Sequence, residues 1–435
     1  MSSYPVNALD HLRPLMTDPG WQQAQPIPQD DGETTQVRLI LNKLFQTFTG
    51  TFAVRLWNGN TLHIGTGSPA FTVCLEQASV LRDMVLFSDP HRLAEAYVAG
   101  DIQIQGDFHA AMQLQDYFVS LSLPLHEKLG LIFRALTLAS HQASQYAHST
   151  QIPQASTPAQ SRSENTLRLD YNAPDDFYQL WLGEHRLHAC AYFTGQSSSL
   201  AEAQQTQLDK ICQALRLQHG NTLLDIDCGR GGLACWAAKH YGVFVHGITT
   251  RPDEYAYATR QVQAQGLSHL IKIELADISN LPATSQYDKA VNISMHSHVG
   301  SQQLPGWLAT VHALLKPGGV FLSHAISSES AAWQQANSRD FINRHLSPQA
   351  SLTTFSQRLQ HMDNAKFDVF KVEGLQRHYV LTLRQWLAAL ETHHTAAAAL
   401  VGERTYRLWR LYMTANVIQF EQGVTGIHQI LATRR

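Results

Sequence analysis

The spacing of apolar residues changes along this chain, and each change marks an element. Thr51–Trp57 (TFAVRLW) and Phe71–Leu75 (FTVCL) alternate with the two-residue period of strands around the turn signal WNGN, which predicts a small sheet. Helical spacing follows in Ser79–Phe87 and Asp89–Ala99, the second opened by Asp89 and Pro90 as N-cap and first helical residue. Ser122–His141 repeats that spacing with basic side chains between the apolar ones. From Ser144 to Asn165 the periodicity gives way to Ser, Gln, Ala and Pro, the composition of a linker.

Beyond the linker, short apolar strands alternate with helical stretches. They run TLLDIDC, a helix from about Gly231 to His240, VFVHGI, a helix over Asp253–Gln265, IKIELAD, YDKAVNIS, a helix over Trp307–Leu315, and GVFLSHAI. Such alternation predicts the α/β class: a parallel sheet covered by helices on both faces, with ligands bound at the carboxyl ends of the strands. From Leu381 onward the tail reads as a run of helices. The implied organisation is a small α+β domain over 1–143, a linker over 144–166, and an α/β domain with a C-terminal helical extension over 167–435.

Composition narrows the partners. Only 15% of the residues are charged and the net charge is −3, which offers no long-range attraction for nucleic acid or anionic lipid, so any membrane contact would be local. The five cysteines include no CxxC pair, so they read as reduced thiols of a cytosolic protein and not as a metal or redox site. The N-terminal MSSYPVNALDHLRP lacks the pattern of a secretory signal, and no stretch approaches the roughly 18 apolar residues of a spanning helix. Ser122–His141 therefore has two readings, a helix packed on the N-terminal sheet or a surface helix touching lipid.

The chemistry concentrates where the first strand of the α/β region ends. LLDIDCGRGG places Asp225 at the strand tip and Gly229, Gly231 and Gly232 in the turn before a helix. Small residues there let backbone approach a ligand, and the helix N-terminus offers unpaired N–H groups, as a nucleotide-like cofactor requires. The next strands end in GITT and in LAD, with Asp277 at the tip, and Lys316-Pro317-Gly318-Gly319 precedes the fifth.

That series resembles the S-adenosylmethionine-dependent methyltransferases with a Rossmann-like class I fold. Within them the chain is similar to the cyclopropane-fatty-acyl-phospholipid synthases and mycolic acid cyclopropane synthases. The similarity runs from LAEAYVAGDIQIQGD (Leu93–Asp107), like that family's N-terminal lipid-binding module, through DDFYQLWLGEHRLHACAYF, CGRGGLACWAAKHYGV, LKPGGVFLSHAI and RHYVLTLRQWL to LVGERTYRLWRLYM and FEQG.

The resemblance implies transfer of the methyl group of S-adenosylmethionine to a cis double bond of a phospholipid acyl chain. Proton loss from the new methyl group would then close a cyclopropane ring. It implies cofactor contacts from Tyr171, Asp225, Asp227, Gly229, Gly231, Thr249 and Asp277. It implies a bicarbonate ion as base, in a catalytic group formed by Cys190, Ser297, His324, Ile326 and Tyr379, and no metal. It also implies a cytoplasmic protein at the inner face of the membrane, as a homodimer or paired with an active paralogue.

Ligand-facing positions depart from the family pattern. Asp227 stands where the family has glycine, Arg230 where it has tryptophan, and Ser297 where it has the glutamate of the bicarbonate network. Arg251 follows the second strand, and Ile278-Ser279-Asn280 replaces Tyr-Arg-Asp after the third. Two further readings share the fold: a non-catalytic lipid- or partner-binding subunit, and a methyltransferase for a different small molecule.

Overall fold

The computed structural model describes residues 32–87, 90–138, 173–195, 198–282, 284, 286–293, 299, 302–328 and 352–435. Tyr171, Ser297 and the linker over 144–166 lie outside the described residues. The chain divides into two units, the first holding the N-terminal residues to 169 together with His394–Ala415, the second the α/β region. The sequence pattern had assigned all of 167–435 to one domain. The structure instead groups His394–Ala415 with the first unit.

In the first unit, α1 (Gly32–Leu44) precedes a hairpin of β1 (Phe52–Arg55) and β2 (Thr61–Ile64). The WNGN signal makes this hairpin: Gly59 adopts φ +85°, and Asn58 donates from Nδ2 to Thr34 of α1 at 2.8 Å. The strand that alternation placed across the turn, β3 (Phe71–Leu75), instead lies parallel to β1 on its other side. After α2 (Ala78–Phe87) and α3 (Pro90–Ala99), β4 (Ile102–Gly106) completes the sheet order β2-β1-β3-β4. Then come α4 (Phe108–Met112), α5 (Leu114–Ser120) and α6 (Leu125–Leu136). In α6 Leu131 and Ala135 are buried, whereas Leu125, Leu129, Phe133 and Leu136 form an exposed stripe at helical spacing.

The second unit begins with α7 (Asp175–Gln179) and α8 (Leu200–Ala214), the latter held at its start by a capping box between Ser199 and Glu202. The predicted alternation follows as β5 (Thr222–Ile226), α9 (Gly232–Tyr241), β6 (Phe244–Thr249), α10 (Pro252–Ala264), β7 (Ile271–Leu275), β8 (Tyr287–Asn292), α11 (Leu304–Leu314) and β9 (Leu315–Ser328). After α12 (Phe355–Asn364) the chain adds β10 (Phe367–Gly374), α13 (Gln376–Thr392), α14 (His394–Val401), α15 (Glu403–Glu421) and β11 (Thr425–Arg434). The sheet order is β10-β11-β9-β8-β5-β6-β7, with β5 to β9 parallel and β11 antiparallel to both its neighbours.

The expectation for the tail is corrected here. The tail is not all helix, because β11 runs through it and sits inside the sheet between β9 and β10. It is buried along nearly its whole length, so it lacks the alternation that marks a half-exposed strand. Cys190 lies in an irregular segment after α7.

The Lys316-Pro317-Gly318-Gly319 turn shows why its glycines are required. Gly318 has φ +73°, and a Cβ on Gly319 would come within 2.8 Å of the Lys316 carbonyl oxygen. Asp288 locks this end of the sheet, one carboxylate oxygen accepting from Lys316 Nζ at 2.7 Å and the other from the Thr222 N–H at 2.8 Å.

Candidate functional site

At the carboxyl ends of β5 and β6 the chain forms a cleft lined by Asp225, Asp227, Gly229, Arg230, Thr249 and Glu254, with Arg186, His188, Arg251 and Ile293 around them. The turn after β5 is built by three successive left-handed residues at alternate positions, Asp227 at φ +55°, Gly229 at +54° and Gly231 at +80°. Side chains other than glycine are costly in this region, and aspartate is among the least so because its short polar group bonds locally. Asp227 finds its partner on another strand: its Oδ2 accepts from Asn292 Nδ2 at 3.3 Å, and the same amide donates to the Ile226 carbonyl at 3.0 Å.

Asp225 is only 1% exposed, and neither carboxyl oxygen has a hydrogen-bond partner among the described residues. Burial first, and the charge of Asp227 second, push its carboxyl up to about 8. An acceptor buried at a strand tip without a donor fits a ligand that carries a hydroxyl or amine. At Gly229 an added Cβ would meet nothing within 4 Å, which leaves the backbone of the turn open on that side.

The remaining cleft residues are tied down. Arg230 donates to Asp175 Oδ1 from two nitrogens at 3.1 and 3.0 Å and lies over the Tyr178 ring at 4.2 Å. Arg251 reaches Asp253 at 2.8 Å and Glu254 at 3.5 Å, and Glu254 accepts from Thr249 Oγ1 at 2.9 Å. Burial and these two arginines drive His188 down to about 3, so its ring is neutral.

A second group lies deeper in the same unit. Cys190 and Tyr379 are buried, and the Cys190 thiol, pushed up by burial, points at the carbonyls of Ala191 (3.3 Å) and Leu375 (3.9 Å). The Tyr379 N–H donates to the same Leu375 carbonyl, and the Leu375 N–H donates to Ile427, which faces Ile326 across β9 and β11. His324 Nε2 lies 2.9 Å from Gln429 Oε1 on that strand pair and 3.3 Å from Gln207 Nε2, donating to the first or accepting from the second according to its tautomer, while its Nδ1 is buried with no partner among the described residues. Burial takes His324 down to about 4.

Of the residues singled out in the sequence, Asp225, Asp227, Gly229 and Thr249 thus line one cleft, while Gly231 shapes its turn. Cys190, Ile326 and Tyr379 meet around Leu375, with His324 beside them on β9. Asp277 is exposed at the end of β7 and spends its carboxylate on Ser279, accepting from N at 2.8 Å and Oγ at 2.6 Å, and it does not line the cleft. Arg186, His188 and Glu254 line the cleft without having been singled out. For Glu254 a signal existed, since an acid in the first turn of the helix after the second strand faces the same strand ends as the glycine turn.

A glycine-turn cleft with an orphaned strand-tip carboxylate, on a sheet of this order, defines an S-adenosylmethionine-dependent methyltransferase. The chain belongs to the mycolic acid cyclopropane synthetase family, whose profile matches residues 159–430. Residues 40–118 match a domain family of unknown function. A Pseudomonas putida protein named "Probable fatty acid methyltransferase" is 30% identical over 383 residues, covering 88% of this chain and 91% of that protein. The cyclopropane synthase MmaA2 from Mycobacterium tuberculosis superposes with a TM-score of 0.58 at 26% identity, covering 62% of this chain and 99% of its own. The mycolic acid cyclopropane synthase CmaA1, solved in complex with SAH and CTAB, gives a TM-score of 0.58 at 27% identity, covering 61% of this chain and 96% of its own.

Proposed function

We propose that this methyltransferase acts on an unsaturated acyl chain of a phospholipid at a membrane surface. The observation that carries the reading is the pairing of a cofactor cleft with a buried group able to hold a base. S-adenosylmethionine, when bound, supplies the electrophilic methyl group. Asp225, Gly229 and the Thr249–Glu254 pair are the residues that would position it.

The group around Leu375 fits the family's bicarbonate ion. In the tautomer that carries the proton on Nε2, toward Gln429 Oε1, His324 Nδ1 is the acceptor that the ion's O–H needs. Cys190, held protonated by burial, and the buried Tyr379 would flank the ion, with Ile326 on the same strand as His324. Burial of that base keeps water from competing for a carbocation formed at the alkene.

The exposed stripe on α6 supports the membrane side of the reading. Leu125, Leu129, Phe133 and Leu136 are 74, 58, 73 and 62% exposed, and the exposed Lys128 lies between them. The sole acid of the helix, Glu127, is paired with Lys43 at 2.5 Å, so the outward face is apolar and cationic, as an anionic lipid surface requires. Four side chains offer far less than the roughly 800 Å² per partner of a stable protein interface, which favours lipid over a second copy as the occupant. No described helix is long and apolar enough to cross a membrane.

The test is incubation of the purified protein with methyl-labelled S-adenosylmethionine and vesicles of an unsaturated anionic phospholipid, followed by mass spectrometry. Label in the acyl chain is the expected result. Cofactor binding with no labelled lipid, but label on an added small molecule, would replace the substrate assignment.

A further inference from the structure

The start of α12 carries a buried charge that no described residue answers. Arg358 is 7% exposed, and its Nε is sealed from solvent with no partner among the described residues. Its two terminal nitrogens are not sealed in this way, which leaves the guanidinium fork open to a ligand. Burial alone acts on its proton affinity, lowering it to about 10, so no carboxylate among the described residues offsets the charge. An uncompensated buried cation is among the most costly groups a fold can hold. We propose that Arg358 and Thr353 form an oxyanion site at the start of α12, built to take a phosphate group.

Local geometry brings the two residues together. Thr354 caps α12, its Oγ1 accepting from the Gln357 N–H at 3.2 Å while Gln357 Oε1 accepts from the Thr354 N–H at 3.0 Å. Thr353 is therefore the residue before the cap and Arg358 the fourth residue of the helix, two positions that pack against each other across a helix start. Apolar side chains commonly close that contact. Here a hydroxyl and a guanidinium occupy it, and Thr353 Oγ1, like Arg358 Nε, is buried without a partner among the described residues. A helical side chain leans toward the N-terminus of its own helix, so the guanidinium extends over the first turn, where the helix dipole also favours an anion.

This place lies on the ligand-bearing edge of the sheet. The Ser328 N–H donates to the Thr353 carbonyl at 3.1 Å, and Ser328 pairs with Thr354, which ties the start of α12 to the carboxyl end of β9. Strands β5 to β9 run parallel, so the cofactor cleft lies along the same edge. A tetrahedral oxyanion suits the donor set, with oxygens for the guanidinium fork, for the Thr353 hydroxyl and for the helix end. A phospholipid headgroup and free phosphate share this chemistry. That the phosphate belongs to the acyl substrate rests on the function proposed above, whereas the site itself does not.

The experiment is calorimetric titration of the full chain with sodium phosphate and, separately, with dihexanoyl phosphatidylglycerol below its micellar concentration, chloride holding the ionic strength constant. Wild type is compared with Arg358→Lys, which keeps the charge and loses the fork. Wild type is expected to bind, and Arg358→Lys to bind at least about tenfold more weakly. Tighter binding of the lipid than of inorganic phosphate assigns the site to a headgroup, and equal or weaker binding assigns it to free phosphate; either supports the oxyanion site. Urea unfolding in phosphate-free chloride buffer tests the premise. There Arg358→Met is expected to be at least as stable as wild type, because it removes an unpaired buried charge and keeps a straight chain. A wild type that binds neither ligand, or an Arg358→Lys protein that binds as tightly as wild type, overturns the proposal. So does an Arg358→Met protein that is less stable than wild type or does not fold, since the charge would then have its partner within the chain. Phosphate binding without methyl transfer to lipid leaves the site standing and counts against the substrate reading alone.

Discussion

The cofactor cleft and the buried group around Leu375 belong to one unit and respond to pH in opposite senses. In the cleft, burial and Asp227 raise Asp225 from 3.8 to about 8. At the deeper group, burial lowers His324 from 6.5 to about 4. Both groups are therefore neutral near neutral pH, one as an acid and the other as a base. The Asp225 share of stability is complete below its unfolded value and is lost as pH rises through about 8. The His324 share is complete above 6.5 and is lost as pH falls through about 4. The difference teaches what burial does to each region: it raises an acid at the strand tip of the cleft and lowers a base in the deeper group, so each favours its uncharged form.

The largest expected effect is on packing around the deeper group. Trp386 is fully buried against Trp181, ring centroids 5.6 Å apart, and against Tyr379 at 6.4 Å. Trp386→Ala should cost about 3–5 kcal/mol in urea unfolding. A loss below about 1 kcal/mol would show that this group is not the rigid half of the comparison.

Next comes the arginine that replaces tryptophan in the turn. Asp175→Ala leaves the Arg230 guanidinium, whose side chain is 5% exposed, without its carboxylate. About 1–3 kcal/mol of destabilisation is expected, discounted because Asp175 is partly solvated. Arg230→Trp in the Asp175→Ala background should recover much of it. A double-mutant cycle with no coupling would mean that Arg230 is held by Tyr178 alone.

Smaller, and opposite in sign, are the pH responses. Asp225→Asn should flatten the fall in stability between pH 4 and 8 relative to wild type, and His324→Gln should flatten the acid limb between 6.5 and 4. Chemical denaturation across pH reads both. Identical curves for variant and wild type would remove the contrast between the regions. The smallest effect is Asp227→Gly, expected to change stability by no more than about 1 kcal/mol, because relief of the left-handed backbone offsets the lost bond to Asn292.

These two regions also differ in how far the sequence disclosed them. The cleft was legible because the strand, the glycine turn and the helix are contiguous, so Asp225, Gly229 and Gly231 fall together by local geometry alone. Partners supplied from elsewhere were not: Asn292 arrives from β8, and Asp175 from a short helix well before the sheet. The deeper group was reachable only through family resemblance. Its members come from an irregular segment, from β9 and from α13, and the link between them is the Leu375 backbone, which no side-chain pattern marks. The tail misled for a related reason, since β11 is buried on both faces and its apolar run has no strand period to read.

The central claim is that the β5 cleft holds S-adenosylmethionine through Asp225. Its most direct test is calorimetric titration of the cofactor into wild type and Asp225→Ala at neutral pH, with folding of both verified. The account predicts saturable binding to wild type and at least a tenfold loss in the variant, because a buried acceptor without a partner among the described residues has been removed. No heat with wild type at millimolar cofactor, or equal affinity in the two proteins, would contradict it.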